Sequence, residues 1–545
     1  MQSSVASTVL SLPKCPSSMK EDQNHEKAEN SVLQVATFCC QSSTQDQLST
    51  SSSLSLDGLS IEHVEKVNQV TAIVQNLKEP SERLVMIDDL RRLGIEYHFQ
   101  EEIESLLCGL CENYGALSSL YDVALSFRLL REHGHNVSQD VFKRFMDEEG
   151  RFKLQLSTDI KGMMSLYEAS KLAVKGEDII EEANDFATKN LIASVKFMEP
   201  CLARVVRHSL ENPFHMSLPR FNTKNHLNNL RETDRNTEAI QELAIFEFNI
   251  VQSMHQSELK EVTQWWRDLG LSQELRFARD QPLKWYMWSL AVLPNPKFSK
   301  YRIELTKPIA LVYIIDDIYD VYGKPDELVL FTEAINRWDP SDISQLPTYM
   351  KICFMALHGV TNELAYMVLK EHGWNPINSL RQKWRDLCNA FLVEAKWFAE
   401  GDLPKADEYL RNGVTSSGVA AVLVHLFFLV GHGITRESVD LDENQDGYDG
   451  SYLECYMKEN VASLESTQRH VRHLISNAWK ELNKESLSPY PFSQTFVQAS
   501  LNTARMVQVM YSYNKDQRLP MLEQHIISLL KERIPLDEIP KKAQR

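Results

Sequence analysis

The chain is 545 residues long, 43% hydrophobic and 24% charged, with a formal net charge of −17. That length allows two or more domains with sizeable cores, and the acidity argues against nucleic acid as a partner. No apolar run is read as long enough to span a bilayer, so a soluble chain with no membrane partner is expected.

Periodic Glu-, Lys- and Leu-rich stretches, few glycines and no regular strand–turn spacing predict an all-α protein. The nine cysteines lack metal-ligand spacing, and Cys108 and Cys111 form a lone C-x-x-C. They are read as free thiols in a reducing compartment. Residues 1–56 are rich in Ser, Thr and Gln and predict a disordered segment. Serine content and position favour a plastid transit peptide. The lack of arginine before Arg83 and the acids Glu21, Asp22, Glu26 and Glu29 favour a cytosolic chain instead.

Residues 57–232 carry helical periodicity, as in Leu84-Ile87-Leu90-Leu93 and Leu117-Leu120-Ala124-Phe127. Asp88-Asp89 is followed by Arg91-Arg92, which predicts ion pairing there. All nine tryptophans lie between Trp265 and Trp479, a shift that suggests a helical scaffold over 57–232 and a pocket-forming domain over 233–545. Helices are predicted at Ile240–Leu259, Pro308–Val321, Leu380–Phe398, Val419–Val430 and Leu501–Met510. Ser416-Ser417-Gly418 reads either as a plain helix boundary or as a small-residue break that turns carbonyls toward a cavity.

Residues 309–323 are an apolar run leading into Asp316-Asp317 and then Asp320. On a helix Asp316 and Asp320 share a face. Desolvated carboxylates need a positive partner, and a hard divalent cation such as Mg²⁺ takes oxygen ligands of this kind. On spacing alone a solvated acidic turn is an equal alternative.

Further strings follow in order: His255-Gln256-x-Glu258-Leu259, Trp265-Trp266-Arg267, Leu275-Arg276-Phe277-Ala278-Arg279-Asp280, Asp316-Asp317-Ile318-Tyr319-Asp320 and Asp442-Glu443-Asn444-Gln445-Asp446-Gly447. Together they resemble a plant class I terpene synthase, from about residue 60 to the C-terminus. Leu90-Arg91-Arg92-Leu93-Gly94-Ile95-Glu96-Tyr97 resembles the start of that family's N-terminal domain. The resemblance implies two α-helical domains, an N-terminal barrel-like one and a C-terminal class I bundle holding the active site. The family's twin-arginine–tryptophan motif is absent, and its Arg-x-Arg is here Arg279-Asp280-Gln281. Both departures resemble the subgroup that makes the acyclic alcohols linalool and nerolidol.

The resemblance implies a monomer that ionises geranyl or farnesyl diphosphate with Mg²⁺, or Mn²⁺ as an alternative. Asp316 and Asp320 would ligate metal, with Asp317 hydrogen-bonding beside them. Arg279 would bind diphosphate, and Gln281 would donate hydrogen bonds without charge. Trp285 would contact substrate, and Trp288, Tyr313 and Tyr319 are further candidates to face the cation, each alternatively an ordinary core aromatic. In the second metal motif, Glu443 matches the terminal glutamate. Val439 and Thr435 occupy positions where the family has ligands, and the preceding arginine is missing. Family-like sequence stops at Asp440-Leu441 and resumes at Asp442, as if roughly two dozen residues, about seven helical turns, were deleted. Glu437, Asp440, Asp442 and Asp446 are substitute ligands or solvated loop acids. The competing functions are therefore an acyclic-alcohol synthase, a chain-elongating prenyltransferase, which would need two complete Asp-rich motifs, and a catalytically impaired helical homologue.

Overall fold

The computed structural model describes residues 56–112, 117–230, 235–401, 403–431, 452–487, 492–514 and 518–535. Among them the secondary structure is helical, apart from one isolated β-bridge between Met146 and Phe152. The chain divides into two compact units. One contains the described residues up to Ser253, with Asn483–Pro489 and His525 onward; the other contains Met254–Leu482 and Tyr490–Gln524.

The first unit begins with α1 (Leu56–Gln75), α2 (Pro80–Arg92), α3 (Gln100–Glu112) and α4 (Leu120–Glu132). Pro80 starts α2 where a missing N–H costs nothing. Ser119 caps α4 by accepting the Asp122 N–H at 3.0 Å. Nearly every residue of α4 is buried, and it packs on α2 and on α5 (Ile160–Ser170), which in turn packs on α6 (Asp178–Ser194). Several buried charges on these helices are paired. Asp88 meets Arg92 at 2.9 Å and Arg128 at 2.5 Å, while Arg91 meets Glu132 at 2.5 Å. Burial opposes the Asp88 charge, but the Arg128 and Arg92 guanidiniums hold its carboxyl well below the usual range. Asp89 accepts from His226 Nε2 at 3.0 Å. Asp88 thus serves ion pairing, with the flanking Arg92 as one partner. The unit continues through α7 (Pro200–Glu211) and α8 (Pro219–Leu230) into α9 (Arg235–Leu269), whose residues from Met254 belong to the second unit.

In the second unit α10 (Pro282–Val292) packs on α11 (Ser299–Asp317) and on a late helix, Gln494–Tyr511. The bundle also contains α12 (Pro325–Arg337), α13 (Thr348–His372), α14 (Ile377–Glu400), α15 (Ala406–Ser416) and α16 (Val419–Val430). A fully buried ion pair joins α9, α10 and α11. Arg302 donates from Nε and Nη2 to Glu258 at 2.7 and 2.6 Å and from Nη1 to the carbonyls of Leu293 and Asn295. Tyr286 donates to the same carboxylate at 2.7 Å. All nine tryptophans fall in this unit.

The structure corrects two expectations. Thr348–His372 and the stretch Ala406–Val430 are long and apolar enough to cross a membrane. Their most apolar windows are, however, 44% and 56% buried inside the bundle, and Gly418 interrupts the second, so both read as core helices. The predicted helix over Pro308–Val321 starts nine residues earlier, at Ser299, and continues through Pro308. It is α-helical only to Asp317; Ile318–Tyr322 form a π turn.

Candidate active site

The C-terminal end of α11 is the focus. Apolar residues bury α11 through Ile314 and Ile315, so its last turn brings Asp316 and Asp317 up to Arg279 while still partly enclosed. Asp317 is buried, Asp316 half-buried and Asp320 exposed. The π turn closes through Gly323 N–H donating to the Ile318 carbonyl at 2.8 Å. A side chain at 323 would not fit: a Cβ there would lie 2.8 Å from that carbonyl oxygen and 2.4 Å from Leu328 Cδ2.

Arg279 gathers the first two carboxylates. Its backbone N–H donates to Asp317 Oδ2 at 2.7 Å, and its Nε lies 2.6 Å from Asp317 Oδ1. Its Nη2 donates to Asp316 Oδ2 at 2.5 Å and to the Tyr313 carbonyl at 3.3 Å. Both Asp317 oxygens are therefore engaged by one residue. Burial works against the Arg279 charge, yet the two carboxylates hold the guanidinium above its ordinary range. For Asp317 burial outweighs these contacts and pushes the carboxyl up to about 6.

Aromatic groups frame this cluster. The Arg279 guanidinium lies 5.1 Å and the Lys284 ammonium 5.7 Å from the Tyr313 ring centre. Trp288 Nε1 donates to the Tyr313 hydroxyl at 3.0 Å. Phe277 stacks on Tyr322 at 3.8 Å and 4°, tying the Arg279 segment to the end of the π turn. Lys284 was not a candidate on sequence; its signal is a lone cation within the apolar run Pro282-Leu283-Lys284-Trp285-Tyr286.

The structure brings together Asp316, Asp317, Arg279, Tyr313 and Trp288, and it places Gln281 at the N-cap of α10 with its Oε1 buried and unpartnered. Two expected residues sit elsewhere. Trp285 is wholly buried and packs edge-on to Trp266 at 4.9 Å, so its indole serves the core. Tyr319 is also core: its hydroxyl hydrogen-bonds Thr332 Oγ1 at 2.7 Å beside Phe331 and Phe391. Asp280 points away from the cluster to accept the Trp266 Nε1–H at 2.7 Å. Glu443, with Thr435, Val439 and the neighbouring acids, lies outside the described residues.

A helix boundary falls at the small-residue stretch. α15 ends at Ser416, and Gly418 takes φ +73° before α16. A Cβ on Gly418 would lie 2.6 Å from Val312 Cγ1, so glycine lets α11 approach the break closely. Glu394 anchors the break from α14, accepting from Ser416 Oγ and, at 2.9 Å, from Asn412 Nδ2. The donor set at the end of α11 is all carboxylate oxygen, which suits a hard divalent cation, with a guanidinium suited to an anionic substrate group beside it.

Comparison with known proteins gives a concordant picture. Two family profiles match: "Terpene synthase, N-terminal domain" over residues 34–210 and "Terpene synthase family, metal binding domain" over residues 267–446. The chain is 46% identical over 489 residues to (E)-nerolidol synthase TPS18VF of Cannabis sativa, covering 82% of this chain and 88% of that protein. It is 40% identical over 507 residues to the chloroplastic S-(+)-linalool synthase of Arabidopsis thaliana, covering 87% and 88%. The isoprene synthase of grey poplar (Populus x canescens), solved with three Mg²⁺ ions and dimethylallyl-S-thiolodiphosphate, superimposes with a TM-score of 0.81 at 34% identity, covering 88% of this chain and 98% of that one.

Proposed function

We propose a reaction for this chain from the premise that it belongs to the terpene synthase family, as its similarity to family members along most of its length establishes. It is a lyase acting on a prenyl diphosphate, and the family's second domain binds divalent metal, Mg²⁺ in general. Our reading of this member is that it converts geranyl diphosphate to linalool, farnesyl diphosphate to nerolidol, or both.

The observation that carries this reading is the convergence of Arg279 with Asp316 and Asp317 at the end of α11. Mg²⁺, with Mn²⁺ as the alternative, would be held by Asp316, Asp320 and Glu443 and would supply positive charge to the departing diphosphate. Arg279 turns its guanidinium from Asp316 to the diphosphate oxygens, while its bonds to Asp317 keep its backbone in place. Gln281 adds neutral hydrogen bonds. The allylic C–O bond breaks with its electron pair leaving on diphosphate. The resulting cation lies against the faces of Tyr313 and Trp288, each worth roughly 0.5–2 kcal/mol. A water oxygen then bonds the tertiary carbon and its proton passes to solvent. The names of the nerolidol and linalool synthases support the substrate class, and the latter's chloroplastic label supports a plastid location. We assign a monomer.

A second reading rests on one observation. Val439 and Thr435 stand where the family's second metal motif has ligands, as an internal deletion near 440–442 would leave it. On that reading the chain is a folded but impaired homologue. Incubating the purified chain with Mg²⁺ and each diphosphate, and identifying the volatiles, separates the two. Linalool or nerolidol that disappears in Asp316→Ala, with unchanged circular dichroism, supports the synthase. A folded protein that releases no product and no diphosphate supports the impaired homologue. Activity retained in Asp316→Ala overturns the metal assignment.

A further inference from the structure

A second cluster of metal-binding groups lies in the first unit. His63 on α1, His98 on the short 3₁₀ turn Glu96–His98 and Glu247 on α9 come from three distant parts of the chain. Their ligand atoms all lie within 4.8 Å of one another. His63 Nε2 is 2.6 Å and His98 Nε2 3.3 Å from the same oxygen, Glu247 Oε2. The other oxygen, Oε1, accepts the Tyr97 hydroxyl, which orients the carboxylate. His98 Nε2 is buried and faces this carboxylate. Aromatic neighbours hold the imidazoles: Phe246 stacks on His63 at 5.9 Å and 15°, and the Tyr97 ring lies 4.3 Å from that of His98.

We propose that His63, His98 and Glu247 form a zinc site that clamps α1 and the 3₁₀ turn to α9. Two imidazoles and a carboxylate are a three-ligand set that Zn²⁺ takes, with water in the fourth position. Bonds of about 2.0–2.2 Å in a tetrahedron put ligand atoms about 3.3 Å apart. The His98–Glu247 separation of 3.3 Å already meets this, and the His63–Glu247 contact of 2.6 Å must open by less than an ångström. The set differs from the all-oxygen end of α11 and favours a softer ion than Mg²⁺. Glu247 is nearly buried, while the two imidazole side chains are a fifth to a quarter exposed.

The test uses the full chain in excess Mg²⁺, which keeps the carboxylates at 316–320 occupied. Zn²⁺ is titrated against a chromophoric chelator, and thermal unfolding is followed with and without Zn²⁺. One equivalent should bind, and Tm should rise by roughly 5 °C at a hundredfold excess over Kd. His63→Gln and His98→Gln should lose both effects, each variant showing the same Tm with Zn²⁺ as under chelator. Asp316→Asn with Asp320→Asn should keep both. Should the His variants not fold, X-ray absorption of the zinc-loaded wild type serves. Two imidazole nitrogens support the site, and an all-oxygen shell overturns it. Equal zinc stoichiometry in wild type and either His variant also overturns it.

Discussion

Arg279 illustrates how much one side chain decides. Its neighbour Asp280 bonds Trp266 and faces the core, whereas Arg279 takes two carboxylates through three separate nitrogens. Charge and fork geometry contribute separately. Arg279→Gln should lower kcat/KM for the diphosphate roughly 10- to 100-fold, the range for losing charge-assisted hydrogen bonds. Arg279→Lys restores charge without the fork and should recover only part of it. Steady-state kinetics on both variants checks the order. Equal recovery by lysine would show that charge alone matters. Asp316 and Asp320 stood out as candidates because carboxylates follow an apolar run, but spacing alone left a solvated acidic turn as an equal alternative. For Trp285 the sequence left two readings, substrate contact and ordinary core, and could not choose between them, because an indole on an apolar helix looks the same whether it faces a ligand or Trp266.

At the scale of elements, the break between α15 and α16 and the π turn after α11 are the places where regular helix gives way. Gly418 has two reasons to be glycine, its positive φ and the closeness of Val312. Gly418→Ala should therefore destabilise by about 1–3 kcal/mol from backbone strain, with crowding added. Adding Val312→Ala should relieve the crowding and leave the strain, so denaturant melts of the double variant should fall between single variant and wild type. The break was visible in Ser416-Ser417-Gly418, and α16 was placed to the residue, because its apolar run is bounded by glycines at both ends. The π turn was not visible, since it follows from tertiary fit around Gly323 and Leu328 rather than from local preference. α16 also carries a pH response. His425 is fully buried; its Nδ1 donates to the Ala421 carbonyl at 2.7 Å and its Nε2 has no partner. Burial pulls its pKa down to about 4, against a smaller upward pull from that carbonyl. The unfolded chain takes up this proton near pH 6.5, the fold only near 4. His425 thus leaves stability intact above pH 6.5 and removes about 3 kcal/mol as pH falls through that window. His425→Phe should flatten this part of the stability–pH curve, read by urea melts between pH 4 and 7.

At the scale of the molecule, two helical units share an all-α chain, and each closes its own buried ion pairs. The Arg302–Glu258–Tyr286 network joins three helices of the second unit without contact to solvent. Arg302→Met should cost about 3–5 kcal/mol by leaving Glu258 charged and buried, whereas Arg302→Met with Glu258→Leu should recover much of it. Chemical denaturation of the two variants reads the difference. The all-helical class was legible from periodicity. The role of Glu258 was not, because its arginine lies 44 positions away in the chain. The distribution of indoles has a practical consequence. Every tryptophan belongs to the second unit, so tryptophan fluorescence, excited where tyrosine does not absorb, reports on that unit and not on the first. Far-ultraviolet dichroism sees helices in both. Recorded on one sample, the two signals form a built-in pair of reporters: superimposed melting curves would mean a single cooperative transition, and separated ones would assign each step to its unit without any added label.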